Sequence, residues 1–594
     1  MARSTQGNDP IEASGSDGDE AAGWSRRKFL DGAGKLAGGA ALTAWLPAFR
    51  IGPAEAACAV PTGFPAGITL YQQAYKNWAR DIAVDPMWTC APATPADVVT
   101  VCNWARTQGY KVRPLGSMHN WSPLTVPAGA VCPNIILVDT KQHLTAVSVN
   151  TATTPKTVTA QTGVLMESLL ATLESNTLGV NACPAPGDLT LGGVLAIDGH
   201  GTGVPKTGET LLSGNTFGSL SNLIRSLTAV VWDAATSQYA LRTFTRTDPG
   251  CTALLTHVGR AFIVEATLQV GTNQRLRCQS WFDKTAAELF APAGSSGNTV
   301  QSYLNSAGRF EAIWFPFTPK PWIKVWSVSP SKPFLSREVT APYNYSFSDG
   351  IDQSIIDSQA QGVLNNPAST PDFGLTQYNV VAAGLVLTST WDIWGWSKNT
   401  LLYIKPSTLR VTANGYAVIT TRANVQRAIN EFYVMYSAKV AAYQAAGKFP
   451  MNGPVEIRIT GLDRPSDVVG MSAPSPQLSA LRPRPDHTDW DTAVWFDILT
   501  IPGTLYANEF YREVEQWMYS NYASYAAVRV EWSKGWGYST TAAWADPTVL
   551  GTTVPDSLRT GQTAGDNFDT ARATLNALDP SRLFSAPLID AVLP

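Results

Sequence analysis

The chain has 594 residues, of which 44% are hydrophobic and 15% charged, with a formal net charge of −3. That length accommodates more than one domain and a sizeable buried core. The near-zero charge excludes an extended basic surface for nucleic acid, and no cysteine of the seven sits in a C-x-x-C pair, which speaks against a metal site. Chain order begins with a targeting segment over residues 1–56. Ser25-Arg26-Arg27-Lys28-Phe29-Leu30 is a twin-arginine signal, the Gly/Ala-rich stretch 36–46 is too short to span a bilayer, and Ala54-Glu55-Ala56 is an A-x-A cleavage site. The alternative is a chance arginine pair ahead of a core helix. Twin-arginine export carries folded proteins, so a bacterial, secreted or periplasmic protein that takes up a cofactor before export is expected. Residues 1–20 read as disordered.

Thr94-Pro95-Ala96-Asp97 is a helix start: a capping hydroxyl, proline at the first position and an acid behind it. Val98, Val101, Cys102 and Ala105 share an apolar face and Gly109 ends the helix. A strand over 110–115 follows, then the turn Pro114-Leu115-Gly116-Ser117-Met118-His119-Asn120-Trp121. Such a turn gathers backbone N–H groups, which suits a diphosphate. His119 is thrown outward there; a purely structural histidine is the alternative. Next comes Pro184-Ala185-Pro186-Gly187-Asp188-Leu189-Thr190-Leu191-Gly192-Gly193, running on to Gly199-His200-Gly201-Thr202-Gly203. Its glycines let main chain approach something flat or charged; an ordinary surface loop is the alternative. Neither GxxxxGK[ST] nor GxGxxG is present, so neither motif explains the segment. A strand-like run, Val258-Gly259-Arg260-Ala261-Phe262-Ile263-Val264-Glu265-Ala266-Thr267-Leu268, closes this half.

Together these three stretches resemble the FAD domain of the vanillyl-alcohol oxidase family, which has the p-cresol methylhydroxylase-type fold. The resemblance implies an α+β protein with two domains: an FAD-binding domain over 57–275 and an antiparallel-sheet substrate domain, covered by helices, over 276–560. Residues 561–594 then return to the FAD domain. It implies FAD contacts from residues 114–121, from Pro186, Gly187, Asp188, Leu191, Gly192, Gly193 and the 199–203 run, and from Gly259, Phe262, Ile263 and Val264. It also implies a covalent link from His119 to the flavin. Met118 and Asn120 depart from the Gly-His-Ser of common members. Cys183-Pro184 lies further from Gly192-Gly193 than the cysteine of doubly linked relatives, so Cys183 is read as structural. Export allows one or two disulfides, and the odd count leaves a free thiol.

Beyond residue 275 the chain turns aromatic. Residues 311–317 and 322–326 read as neighbouring strands, with further strands over 379–387 and 416–420. Residues 424–445 have helical spacing, with Val425, Ile429, Phe432, Tyr433, Tyr436 and Val440 on one face. Residues 509–522 read as another helix. Val455-Glu456-Ile457-Arg458-Ile459-Thr460 alternates as a half-buried strand, placing Glu456 and Arg458 on one face about 7 Å apart. Such charges need each other or a ligand. Glu311 is a third candidate carboxylate, with pairing to Arg309 as its alternative.

The E-I-R run and the F-E-A-I-W-F-P-F run are similar to those of type II bacterial cholesterol oxidases, secreted enzymes with FAD on a histidine. That resemblance implies an active site lined by Glu311, Glu456 and Arg458, with Glu531 and Lys534 as further members. It implies oxidation and isomerisation of 3β-hydroxysterols to 3-keto-4-ene steroids, with O2 reduced to H2O2. The implied partners are the sterol, O2 and transiently a lipid membrane surface, with no obligate protein partner. An alditol, sugar or lactone oxidase of the wider family is the second reading; the tryptophan-rich run 391–396 argues against the polar site it needs. A secreted carbohydrate- or lipid-binding protein is the third, and it leaves the export signal and the FAD-like loops unexplained.

Overall fold

The computed structural model describes residues 58–345, 351–403 and 409–594. The targeting segment and the disorder expected over residues 1–20 lie outside these residues. The first sheet has four strands in the order β1 (Thr69–Lys76), β2 (Ala83–Ala91), β4 (Ile135–Asp139), β3 (Lys111–Leu115). Helix α1 (Pro95–Gln108) connects β2 to β3. Thr94 and Asp97 form a reciprocal capping box and Gly109 closes the helix at φ 75°. Val98, Val101, Cys102 and Ala105 are fully buried. The strand–turn expectation holds, and β3 delivers the His119 turn at its C-terminal end. Met118 takes φ 55°, the left-handed region that most side chains avoid, so the chain reverses sharply beside His119.

A second sheet has the order β5 (Val147–Asn150), β6 (Lys156–Gln161), β10 (Phe262–Thr272), β8 (Ile224–Asp233), β9 (Gln238–Thr245), with β7 (Leu178–Gly179) also on β10. Helix α2 (Leu191–Ala196) carries Gly192 and Gly193.

The third sheet has nine strands: β14 (Arg337–Glu338), β15 (Asp392–Trp396), β11 (Arg275–Trp281), β13 (Trp322–Val328), β12 (Arg309–Trp314), β17 (Val455–Gly461), β18 (Thr492–Thr500), β16 (Thr412–Thr420) and β19 (Ala527–Val530). Every pairing is antiparallel except β14 with β15. One face is apolar: Ala312, Ile323, Val455, Ile457, Phe496 and Val418 are buried there. Helices α4 (Val425–Ala445) and α5 (Ala507–Asn521) pack against it, with Phe432 stacked on Phe496 at 4.3 Å.

One expected strand is a helix. Residues 379–387 belong to α3 (Thr370–Leu387). Pro371 at its first turn is a helix-start signal, and Thr370, Gly374, Val381, Gly384 and Leu385 form its buried stripe. The apolar run lacks the alternation of a half-buried strand, and packing on the sheet decides for helix.

The C-terminal residues pack back onto the first half. Arg260 and Asp579, which follows helix α6 (Phe568–Leu578), form a buried ion pair at 2.6 Å, and Val112 N–H donates to Leu583 at 3.0 Å. Cys58 and Cys132 form a disulfide; Cys90, Cys102, Cys183, Cys251 and Cys278 are buried free thiols.

Candidate active site

The polar face of the nine-stranded sheet holds the charges. Antiparallel register sets Glu311 opposite both Lys324 and Arg458, and Glu456 opposite Asp497. Directly opposed residues point to the same side, so Glu456 and Arg458 share one face as the alternation predicts, and Glu311 joins them there. Glu531 and Lys534 arrive from the turn after β19, pinned by Glu531 N–H to Gly415 O and Lys534 N–H to Glu531 O, both at 3.0 Å. All five sequence-predicted residues therefore meet.

Two pairings that the sequence allowed are not formed. Arg458 bonds to Asp497, which is fully buried, and lies 3.9 Å from Glu531; its ion pairs are not with Glu456. Residues two apart on one strand sit about 7 Å apart, and a diagonal neighbour on the next strand is a closer partner for a long side chain. Glu311 pairs with Lys324 at 3.2 Å, while Arg309 pairs with Glu209 at 2.9 Å. Arg309 is thus held by a loop carboxylate and Glu311 by the neighbouring strand β13. Sequence reasoning missed Asp497, Lys324 and Gly415. The signal for Asp497 was a lone acid inside Trp495-Phe496-Asp497-Ile498-Leu499. Gly415 is required by space: a Cβ there would lie 2.7 Å from Lys534 Cγ, 2.8 Å from Asp497 Oδ1 and 2.9 Å from Glu531 Oε2.

Electrostatics follow from this packing. Burial raises the Glu531 carboxyl, and the Asp497 charge adds to it; burial likewise raises Glu456, although Arg458 opposes. Burial works against ionised Asp497, yet Lys534 and Arg458 hold it below the usual carboxylate range. Burial works against charged Lys324, and Glu311, together with Tyr345 and Cys278, more than offsets that.

The His119 turn joins this cluster directly. Trp121 donates its backbone N–H to Ser533 O at 2.9 Å and its indole N–H to Val411 O at 2.7 Å. Lys534 Nζ sits 4.3 Å over the Trp121 ring and 3.5 Å from Asp497. His119 stacks on Trp78 at 3.8 Å, and Arg410 covers Trp78 at 4.1 Å. Trp78 N–H donates to Asn120 O at 3.0 Å. Pro114 and Leu115 are β3 residues paired with β4, Lys141 Nζ donates to Gly116 O at 2.9 Å, and Ser117 Oγ donates to Asp188 O at 2.5 Å. The last bond ties the turn to the second loop, where Gly187 N–H donates to Tyr403 O at 2.9 Å and Pro186 bridges Tyr403.

The 199–203 run lies along β17: Gly203 N–H donates to Ile459 O at 2.7 Å. His200 is buried and stacked on Trp495 at 3.8 Å. Burial, reinforced by Arg458, lowers its pKa to about 3, so the ring is neutral. Several glycines expected to face a ligand are also needed for chain-on-chain packing. A Cβ on Gly116 would strike Thr190, on Gly192 Thr162, on Gly199 Val194, and on Gly201 the Cys183 backbone. Gly259, Phe262, Ile263 and Val264 lie at and before the start of β10, outside the charge cluster, held by Arg113 and Thr162.

A flavin fits these residues on one test. The Nε atoms of Arg410, which covers Trp78 beside His119, and of Arg458, which shares Asp497 with the Lys534 that lies over Trp121, are buried without hydrogen-bond partners and offer donors for an acceptor-rich, anionic group.

Residues 86–213 match the FAD binding domain family and residues 275–594 match the family described as cholesterol oxidase, substrate-binding. A solved solvent-stable cholesterol oxidase is similar at 58% identity and a TM-score of 0.89, covering 90% of this chain and 100% of that one. This chain belongs to the cholesterol oxidase family. A second member, from Brevibacterium sterolicum, matches at 47% identity and a TM-score of 0.88 over 91% of this chain and 100% of that one. A histidine-to-alanine mutant of the Brevibacterium sterolicum enzyme matches at 46% and 0.88 with the same coverage. L-gulonolactone oxidase of Bos taurus is 25% identical over 249 residues, 41% of this chain and 48% of that protein. The chain thus spans about half the length of the curated relatives it matches. Membership accounts for the α+β, two-domain fold with an FAD-binding and a substrate-binding part, and for FAD as the cofactor.

Proposed function

We propose that the protein is a sterol oxidase: it converts cholesterol and other 3β-hydroxysterols to 3-keto-4-ene steroids, reduces O2 to H2O2, and carries FAD covalently on His119. The observation that carries this reading is the row of Glu311, Glu456 and Arg458 on one sheet face, beneath the His119 turn. Bound FAD supplies the hydride acceptor and the electrons for O2. The protein supplies the rest. Of the carboxyls, Glu311 or Glu456 takes the sterol hydroxyl proton, and the same row can return a proton to another ring carbon. Arg458 is a fixed positive charge for the oxygen that loses its proton. Its planar fork is held by Asp497, so the charge does not reorganise during the reaction. The neighbouring Ile313, Phe315, Trp322, Tyr345 and Tyr378 form an apolar cluster suited to a steroid ring system and poor for a polyol.

Two further elements belong to this reading. Phe334, Leu335, Val386 and Leu387 are 95%, 70%, 71% and 62% exposed, and Arg337 donating to Thr388 O at 2.7 Å holds their segments together. An exposed apolar edge of this kind supports contact with the lipid surface from which a sterol is drawn. The 25–30 motif supports export by the twin-arginine pathway, checked by secretion of an R26K/R27K variant.

The deciding experiment is peroxide release from purified protein. Cholesterol should give it together with a 4-en-3-one product. Peroxide from xylitol or a gulonolactone, with none from cholesterol, would overturn the reading. Acid-precipitated wild type should keep its yellow colour in the pellet, and His119→Ala should release it.

A further inference from the structure

Asp497 Oδ1 and Glu531 Oε2 are both buried, and neither receives a hydrogen bond. Both oxygens close on the same small space: a Cβ on Gly415 would lie 2.8 Å from the first and 2.9 Å from the second. Two carboxylate oxygens facing one gap repel each other, and each is costly to leave unsatisfied. A hydrogen placed between them satisfies both, because a protonated carboxyl is a donor and an ionised one an acceptor.

We propose that Asp497 is a positioning residue of the catalytic site, holding the Arg458 guanidinium with one oxygen and accepting, with the other, a hydrogen bond from protonated Glu531. The proposal deepens the oxidase reading and rests on it only for the activity readout. Charge counting agrees. Carboxyls Glu311, Glu456, Asp497 and Glu531 meet cations Lys324, Arg458 and Lys534, so four negative groups face three positive ones and one proton balances the set. Asp497 Oδ2 takes both Arg458 and Lys534, which makes it the ion and Glu531 the acid. The raised Glu531 carboxyl and the depressed Asp497 point the same way. The groups facing the pair are Arg458 and Glu456 on β17, Lys534 in the same turn, His200 from the 199–203 run and Glu311 on β12. His200 is neutral in the working range, so it adds no competing titration.

Asp497→Asn keeps the shape and removes the repelling charge. In 13C-glutamate spectra of the holoenzyme, wild type should show a carboxyl, absent in Glu531→Gln, that titrates well above the ordinary glutamate range. In Asp497→Asn it should titrate at least one pH unit lower. The alkaline limb of kcat/KM that reports the Glu531 proton should shift by the same amount and vanish in Glu531→Gln. With Arg458 less firmly held, kcat should fall about tenfold, with KM little changed. A Glu531 carboxyl with an ordinary titration, or one unmoved by Asp497→Asn, overturns the proposal. If the spectra behave as described and no sterol is oxidised, the carboxyl pair stands and the oxidase reading falls.

Discussion

Arg458 is the residue on which the proposed chemistry turns. Losing one preorganised charge of this kind costs about 3 kcal/mol of transition-state stabilisation, roughly 100-fold in rate. Arg458→Ala should slow flavin reduction by sterol by that factor in stopped-flow, and Arg458→Lys, which keeps charge but not the fork, should be intermediate. Near-wild-type half-reactions with a large drop in thermal midpoint would make the arginine structural. Gly415 gives a second test. A methyl there meets three side-chain atoms of the cluster at under 3 Å. Gly415→Ala should cost about 1–3 kcal/mol of stability and more than tenfold in turnover, read by melting and peroxide release. At this scale the sequence showed which charges share a face, because strand alternation is local. It did not show Arg458's partner, because Asp497 and Lys324 come from other strands and only register brings them near.

Among the elements, α1 was legible down to its caps, since each signal lies within four residues of the next. Thr94→Ala should cost about 1 kcal/mol, visible as a lower denaturation midpoint with unchanged turnover. Helix α3 was read as a strand because its apolar run has no period to separate the two, and its long-range packing against Phe315 and Trp322 decided the outcome. The buried histidines make an acid-sensitive pair of loops. His200 and His257 are each lowered by burial from 6.5 to about 3. Between those values the unfolded chain binds protons that the native one does not, so stability present above pH 6.5 is lost as pH falls. His257→Asn should flatten the fall in melting temperature between about pH 6 and pH 4; an unchanged slope would show that carboxylates govern acid unfolding.

Across the whole molecule, the lipid contact proposed for the exposed apolar edge predicts a division of substrates. Phe334→Ser with Leu335→Ser should cut co-sedimentation with cholesterol-containing phosphatidylcholine vesicles, and oxidation of their sterol, several-fold. Turnover of a water-soluble 3β-hydroxysteroid should stay the same. Equal losses on both would place the defect inside the site. The fold class and the joining of loops to sheet were foreshadowed by motif order along the chain. The exposed edge was not, because exposure depends on how α3 and the β14 segment meet.

The His119 turn has a consequence for how the protein is made. Its floor is built from Val411, Ser533 and Lys534, residues that leave the ribosome hundreds of positions after the histidine itself. During synthesis the nascent turn has its neighbouring tryptophans but no Val411 carbonyl, no lysine and no charge cluster to meet. On the proposed reading, the complete floor for the cofactor therefore exists only in the finished chain. In a pulse-labelled culture, the flavin attachment proposed at His119 should lag behind completion of the polypeptide and never precede it.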